Sequence, residues 1–166
     1  FKKKDQIKKP KKIKVTKYSL NKEQEDSLKY LENVKGKFNV SVLQGATGSG
    51  KTLVYFERIK KIIEKNKQAL VLLPEIFLTN QFQSRFEEFF GFPPAVWHSR
   101  ITPKNKRIIL KGIIQNKIKL IIGARSSLML PFKKLGIIIV DEEHDVSYKQ
   151  DEGVIYNARD MAISRA

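Results

Sequence analysis

The sequence predicts an α/β fold in which helices cover both faces of a mostly parallel sheet. Short apolar runs of strand length recur along the chain, and amphipathic segments of helix length separate them. A glycine cluster at residues 45–50 directly follows the first of these runs. The 166 residues are enough for one hydrophobic core of ordinary size.

Capping residues divide the chain into its elements. Asn21 followed by Gln24 has the pattern of a helix N-cap with its reciprocal partner. Thr102-Pro103 is typical of an N-cap followed by proline at the first helical position, and Asn157 is a third N-cap candidate. The predicted helices are 21–34, 51–65, 77–90, 103–116 and 157–164. The predicted strands are 39–44, 69–73, 95–98, 118–122 and 136–140.

The net charge of +16 is the strongest signal in the composition. Residues 1–17 contain nine lysines and one aspartate, which is half of the excess. Such a field favours phosphate-rich partners, but a solvated lysine tail explains the charge equally well. We expect residues 1–18 to be a basic linker or the remnant of a preceding DNA-binding domain, and residues 19–166 to form one domain. The chain starts with phenylalanine, so we expect it to be a piece of a longer protein.

The composition argues against a membrane protein and against cysteine-based sites. No apolar run approaches the roughly 18 residues that span a bilayer, which argues against a membrane protein. The absence of cysteine excludes disulfides and thiolate metal sites from this stretch.

Residues 45–52 match the phosphate-binding pattern G-x-x-x-x-G-K-[ST] at every fixed position. Glycines let backbone N–H groups turn inward around phosphate oxygens, and the following helix directs its positive end at the same anion. We expect Lys51 to reach the β- and γ-phosphates and Thr52 to bind Mg²⁺. A chance match is the alternative, although the predicted strand before the loop and helix after it argue against it. The predicted ATP-binding residues of the loop are Gly45, Ala46, Thr47, Gly48, Ser49, Gly50, Lys51 and Thr52.

Asp141 and Glu142 directly follow the apolar strand 136–140, at the carboxyl edge of the predicted sheet. A phosphate-loop site needs a carboxylate that holds Mg²⁺ and a group that orients water. We expect Asp141 to hold Mg²⁺ and Glu142 to activate the attacking water, with the acidic first turn of a helix as the alternative. From its chemistry alone, His144 is as readily a structural residue as a functional one. No second histidine and no cysteine lies at ligand spacing, which argues against a zinc site.

Asp141-Glu142-Glu143-His144 and the residues after it resemble the DEAH-type motif II of superfamily 2 helicases, and in particular the bacterial replication-restart helicases. The other matching segments are 45–52, 73–79, 98–99, 123–127, 131–132 and 156–160. The resemblance covers residues 20–166. It implies a first RecA-like P-loop NTPase lobe of an ATP-dependent 3′-to-5′ DNA helicase, cytoplasmic and nucleoid-associated, acting at stalled forks.

The resemblance also implies cofactors and partners. ATP and Mg²⁺ are the expected cofactors, and single-stranded and forked DNA the expected substrates. Single-stranded DNA-binding protein and primosome components are the expected protein partners. Zinc is expected only in a C-terminal part that these residues do not include. The second lobe is also absent, so we expect the chain alone to hydrolyse ATP poorly.

Single residues take roles from the same resemblance. Gln24 matches the glutamine that contacts adenine, with its capping role as the alternative. His144 matches the histidine that couples the ATP site to DNA, and it joins Lys51, Asp141 and Glu142 as a predicted catalytic residue. Tyr148 and Tyr156 are expected to stack on bases, with packing on the lobe surface as the alternative. The predicted DNA-binding residues are Pro74, Glu75, Thr79, Arg125, Ser126, Tyr148, Lys149 and Tyr156.

Two departures from the family pattern and two rival functions stay open. Ala124 stands where the family has threonine, and Ser127 stands where it has alanine, which puts a hydroxyl contact to DNA in doubt. One rival function is a nucleic-acid-binding module with a vestigial ATP site. The other is a different superfamily 2 DNA translocase, such as a restriction motor.

Overall fold

A four-stranded parallel sheet forms the centre of the protein. The computed structural model describes residues 18–33, 38–46, 48–150 and 156–166, so residues 1–17 of the predicted linker and Thr47 lie outside the described residues. The strands follow the order β2-β3-β1-β4, and every pair is parallel. The strands are β1 (Gln68–Leu72), β2 (Ala95–Trp97), β3 (Leu120–Gly123) and β4 (Leu135–Val140). The predicted α/β class is confirmed, and these four strand predictions are correct within two residues.

Helices and 3₁₀ turns connect the strands at their ends. The described residues form five α-helices, which are α1 (Lys22–Asn33), α2 (Lys51–Glu64), α3 (Asn80–Phe90), α4 (Pro103–Ile114) and α5 (Ala158–Arg165). The 3₁₀ turns are Glu75–Phe77, Arg125–Met129 and Val146–Tyr148. A short antiparallel ribbon pairs β5 (Lys149–Gln150) with β6 (Tyr156–Asn157). None of the described helices is long and apolar enough to cross a membrane.

The predicted caps set the helix starts. The Asn21 side chain accepts a hydrogen bond from the Gln24 N–H at 2.9 Å, and the Gln24 side chain accepts one from the Asn21 N–H at 3.0 Å. Thr102 caps α4, and Asn157 caps α5. Helix α3 begins three residues later than predicted, because a 3₁₀ turn occupies Glu75–Phe77 and the Thr79 hydroxyl caps the helix that follows.

The two faces of the sheet carry separate cores. Because side chains alternate along a strand, Ala69 and Val71 face one side, and Leu70 and Leu72 face the other. The first side packs against buried phenylalanines of α2 and α3, and the second against residues of α4 and α5. Helices therefore cover both faces of the sheet, as predicted.

Residues 38–46 form no strand, contrary to the prediction for 39–44. Phe38, Val40 and Val42 are exposed, and Val42 is 81% accessible. The alternation of apolar and polar residues suits a strand, but strand backbone needs a neighbouring strand for its hydrogen bonds. No described strand pairs with the outer edge of β4, and residues 38–46 form no strand that could do so.

Candidate nucleotide site at the carboxyl edge of the sheet

The phosphate loop, residues 45–52, has the backbone that its glycines allow. Gly48 and Gly50 adopt φ angles of 81° and 82°, in the left-handed region that favours glycine. A Cβ on Gly45 would lie 2.6 Å from the Ser49 Oγ, so a larger residue there requires the Ser49 side chain to move. Helix α2 starts directly after Gly50 with no side-chain cap and no acidic residue in its first turn. Its first N–H groups therefore suit a phosphate.

Lys51 lies over the loop that it follows. Its Nζ donates to the carbonyl oxygens of Gly45 at 2.6 Å and of Ala46 at 3.0 Å. These bonds hold the ammonium group beside the loop backbone, where its charge is within reach of an anion bound by that loop.

Gln24 links helix α1 to the phosphate loop. Its Nε2 donates to the Ser49 carbonyl oxygen at 3.0 Å, while its Oε1 completes the capping box with Asn21. A Cβ on Gly50 would lie 2.3 Å from that Nε2, which shows how closely the amide packs on the loop. The capping role left open by the sequence is therefore real, and the adenine contact stays a prediction.

Asp141 has every polar atom engaged. Its N–H donates to the Leu72 carbonyl at 3.1 Å, which continues the β1–β4 ladder. One carboxylate oxygen accepts from the Glu142 N–H at 3.1 Å, and the other accepts from the Tyr55 hydroxyl at 2.8 Å. The Tyr148 hydroxyl donates to the Asp141 carbonyl at 2.6 Å. The predicted Mg²⁺ ligand is thus held in one orientation.

Tyr55 belongs to the site but was not predicted from the sequence. It lies one helical turn after Lys51 on α2, and its side chain is 5% exposed. Burial, followed by the charge and hydrogen bond of Asp141, raises the pKa of Tyr55 well above its ordinary value, so the hydroxyl stays a donor. The nearby Thr52 side chain acts in the opposite direction on that pKa. The sequence did contain a sign of this role: Tyr55 lies on the buried face of α2, where a tyrosine hydroxyl needs a hydrogen-bond partner.

Glu142 adopts a left-handed backbone conformation with a φ of 51°. For a residue other than glycine this strain costs about 1–3 kcal/mol, and such strain clusters at functional sites. The turn directs the carboxylate to solvent, and the nearest histidine nitrogen, Nε2 of His144, lies 3.5 Å from it. Glu143 turns the other way and binds the Arg159 guanidinium at 2.7 Å. The structure therefore leaves Glu142 and His144 accessible together.

The segment 74–79 uses its polar groups within the fold. The Glu75 carboxylate accepts hydrogen bonds from the Ser99 N–H at 3.2 Å and from the Ser99 hydroxyl at 3.3 Å. Pro74 is buried, and Thr79 caps α3. The side chains predicted to contact DNA here lie at the same sheet edge as the phosphate loop, and each has a structural role; DNA contact stays a prediction.

The remaining predicted DNA contacts divide into accessible and buried groups. Ser126 and Lys149 are exposed, and the Arg125 guanidinium donates to the Lys149 carbonyl. Tyr148 is 1% exposed, so the prediction that its ring stacks on a base is wrong for this structure. Its ring fills the core between β4 and α5, because its hydroxyl finds a buried partner. The side chain of Tyr156 lies outside the described part of the chain.

The departures at residues 124 and 127 have a local explanation. The Ser127 hydroxyl donates to the Ala124 carbonyl at 2.6 Å, and the Ser127 side chain is buried. The Ser127 hydroxyl is therefore already hydrogen-bonded within the turn after β3.

The site suits Mg²⁺ and a nucleotide together. The phosphate loop has free N–H groups at α2, and Thr52 and Asp141 supply the hard oxygen atoms that Mg²⁺ prefers. The described residues contain no group of three His, Cys, Asp or Glu side chains that could hold a metal ion.

This fold and site are those of a P-loop motor lobe, and the chain belongs to the family described as "Type III restriction enzyme, res subunit", whose model matches residues 17–163. A solved structure, that of RecG bound to a three-way DNA junction, is similar with a TM-score of 0.68 and 28% identity. The match covers 84% of this chain and 20% of that one. The RecA-like architecture is thereby confirmed.

The similar curated proteins are replication restart proteins named PriA. The chain is 57% identical over 125 residues to that of Rickettsia conorii, covering 75% of this chain and 19% of that protein. It is 44% identical over 152 residues to that of Helicobacter pylori strain J99, covering 92% and 24%. The Bacillus subtilis protein is 46% identical over 127 residues, covering 76% and 16%. The predicted resemblance is confirmed, and the chain spans about a fifth of the length of these relatives.

Proposed function

We propose that this chain is the first ATP-binding motor lobe of a 3′-to-5′ DNA helicase that acts in replication restart. The observation that carries the proposal is the juxtaposition, at one sheet edge, of the phosphate loop and the Asp141 strand end, joined through the Tyr55 hydroxyl. Similarity to PriA proteins favours replication restart over a restriction motor.

In this proposal each residue of the edge has one task. The N–H groups of the phosphate loop and the Lys51 ammonium bind the phosphates of ATP. Thr52 and Asp141 hold Mg²⁺, which neutralises charge on the phosphate oxygens when bound. The exposed Glu142 carboxylate accepts a proton from the attacking water.

The DNA would run along the same edge, over the turns that follow β1, β3 and β4. Ser126 and Lys149 offer a hydroxyl and an ammonium group that are exposed there. Single-stranded and forked DNA are the proposed substrates, with single-stranded DNA-binding protein and primosome components as partners of the longer protein in the bacterial cytoplasm and nucleoid. The zinc site implied by the resemblance would lie outside these 166 residues, which contain no cysteine.

The proposal is tested by measuring Mg-ATP binding and hydrolysis with and without forked DNA. We expect binding with turnover below about 1 s⁻¹, because one lobe supplies only half of a helicase site. Lys51→Ala should weaken nucleotide binding at least tenfold. A chain that binds DNA equally well with Lys51→Ala, and regardless of nucleotide, would instead be a nucleic-acid-binding module. Equal affinity for forked and linear duplex DNA would favour a different translocase.

A further inference from the structure

The Tyr55 hydroxyl contacts one of the two predicted Mg²⁺ ligands. It donates to the Asp141 carboxylate at 2.8 Å, across 86 positions of sequence, and Tyr55 lies three residues after the other predicted ligand, Thr52, on helix α2. The hydroxyl therefore connects α2 to the end of β4.

The Tyr55 ring has little freedom to move the hydroxyl elsewhere. It is buried in the core between α2 and the sheet and contacts the Phe56 ring edge-to-face, with 5.3 Å between the ring centroids. Because a close-packed ring stays in one rotamer, the position of its hydroxyl is set by the core rather than by the ligand.

The hydrogen bonds to the Asp141 carboxylate leave metal-binding lone pairs free. The Tyr55 hydroxyl donates to one carboxylate oxygen, and the Glu142 N–H donates to the other. Each carboxylate oxygen has a further acceptor site, so the group can still bind a metal ion.

We infer that Tyr55 is a positioning residue of the magnesium site, whose hydroxyl sets the orientation of the Asp141 carboxylate. The inference rests on the proposed nucleotide function and adds to it a residue that acts through Asp141. Groups that orient metal ligands change metal affinity by roughly 10–100-fold when removed, and the single bond to Asp141 belongs at the lower end of that range.

The chain offers a matched comparison. Tyr148 is also buried and also donates to Asp141, but to its backbone carbonyl rather than to its carboxylate. Tyr55→Phe and Tyr148→Phe each remove one hydroxyl from one buried hydrogen bond. Both should lower the melting temperature by about 2–4 °C. Only Tyr55→Phe removes a contact to the metal-binding carboxylate. Tyr30→Phe, on the exposed side of α1, serves as the surface control.

The experiment measures equilibrium binding of N-methylanthraniloyl-ADP to the 166-residue chain, titrated with Mg²⁺ and repeated in EDTA. We expect Tyr55→Phe to raise the Mg²⁺ half-saturation concentration about tenfold and to leave the affinity in EDTA within twofold of the unaltered chain. Tyr148→Phe and Tyr30→Phe should leave the half-saturation within twofold. An unchanged or lower half-saturation for Tyr55→Phe would overturn the inference, as would an equal rise for Tyr148→Phe.

A double-mutant cycle separates positioning from general damage to the fold. In an Asp141→Asn background, which lacks the carboxylate, Tyr55→Phe should cause no further change in Mg²⁺ half-saturation. A second tenfold rise there would show that Tyr55 acts elsewhere and would overturn the inference. Failure of the unaltered chain to bind nucleotide in a Mg²⁺-dependent way would overturn the proposed function, and this inference with it.

Discussion

Gly50→Ala tests how the phosphate loop is held by helix α1. Gly50 has a φ of 82°, and a Cβ there would lie 2.3 Å from the Gln24 Nε2. Gly48 has nearly the same φ, 81°, but a Cβ there would meet nothing within 4 Å. The two substitutions thus share backbone strain and differ in one contact.

The expected losses follow from that difference. A left-handed alanine costs about 1–2 kcal/mol, so Gly48→Ala should lower the free energy of unfolding by about that amount. In Gly50→Ala the flexible Gln24 amide must also swing away and lose its hydrogen bonds to Ser49 and Asn21. At about 1 kcal/mol for each bond, the total loss is about 3–4 kcal/mol. For a chain of this length the melting temperature should fall by about 2–4 °C per kcal/mol.

The assay is urea unfolding and thermal melting of both variants, alone and combined with Gln24→Ala. Because Gln24→Ala already lacks the amide, Gly50→Ala added to it should cost no more than Gly48→Ala does. If Gly50→Ala alone is no more destabilising than Gly48→Ala, the contact between α1 and the loop contributes nothing to stability, and the argument is refuted.

Three further predictions concern the site and its edge. Glu142→Gln should reduce ATP turnover by at least 100-fold in a phosphate-release assay while Mg-nucleotide affinity stays within threefold; retained turnover would exclude Glu142 as the base. Thr79→Ala should lower the free energy of unfolding by about 1 kcal/mol through loss of the α3 cap, and Thr79→Ser, which keeps the hydroxyl, should restore it. Because the pKa of Tyr55 is raised above its ordinary value of 10.0, the folded state retains a proton that the unfolded state loses above about pH 10, so stability should fall as pH rises past that point. Tyr55→Phe should make the decline shallower by up to about 1.4 kcal/mol per pH unit in urea titrations; an unchanged slope would mean that Tyr55 ionises normally.

Local patterns accounted for much of the fold. The capping pairs at Asn21 and Thr102 depend only on residues three positions apart, and both form as predicted. The glycine spacing of residues 45–52 likewise specifies a turn whose φ angles glycine tolerates. Such features are decided within one turn of chain, where sequence distance and spatial distance are nearly the same.

The strand predictions show where local pattern stops being sufficient. Segment 39–44 and the run at 136–140 both suit extended backbone, yet only the second pairs with a neighbour. The β-propensity of a segment shows only that its side chains suit a pleated, half-buried surface. A strand forms only where a neighbouring strand provides hydrogen-bond partners for its backbone.

The sequence by itself determined the class of the protein, the phosphate loop and the acidic strand end, because each is a contiguous run whose chemistry is complete in a few residues. Tertiary structure alone decided which side chains meet across the sheet edge. Tyr55 reaches Asp141 because α2 packs on the sheet beside β4, and Tyr148 is buried because its hydroxyl finds the Asp141 carbonyl. Both contacts depend on the packing of distant segments, since a buried hydroxyl is stable only where the fold brings it an acceptor.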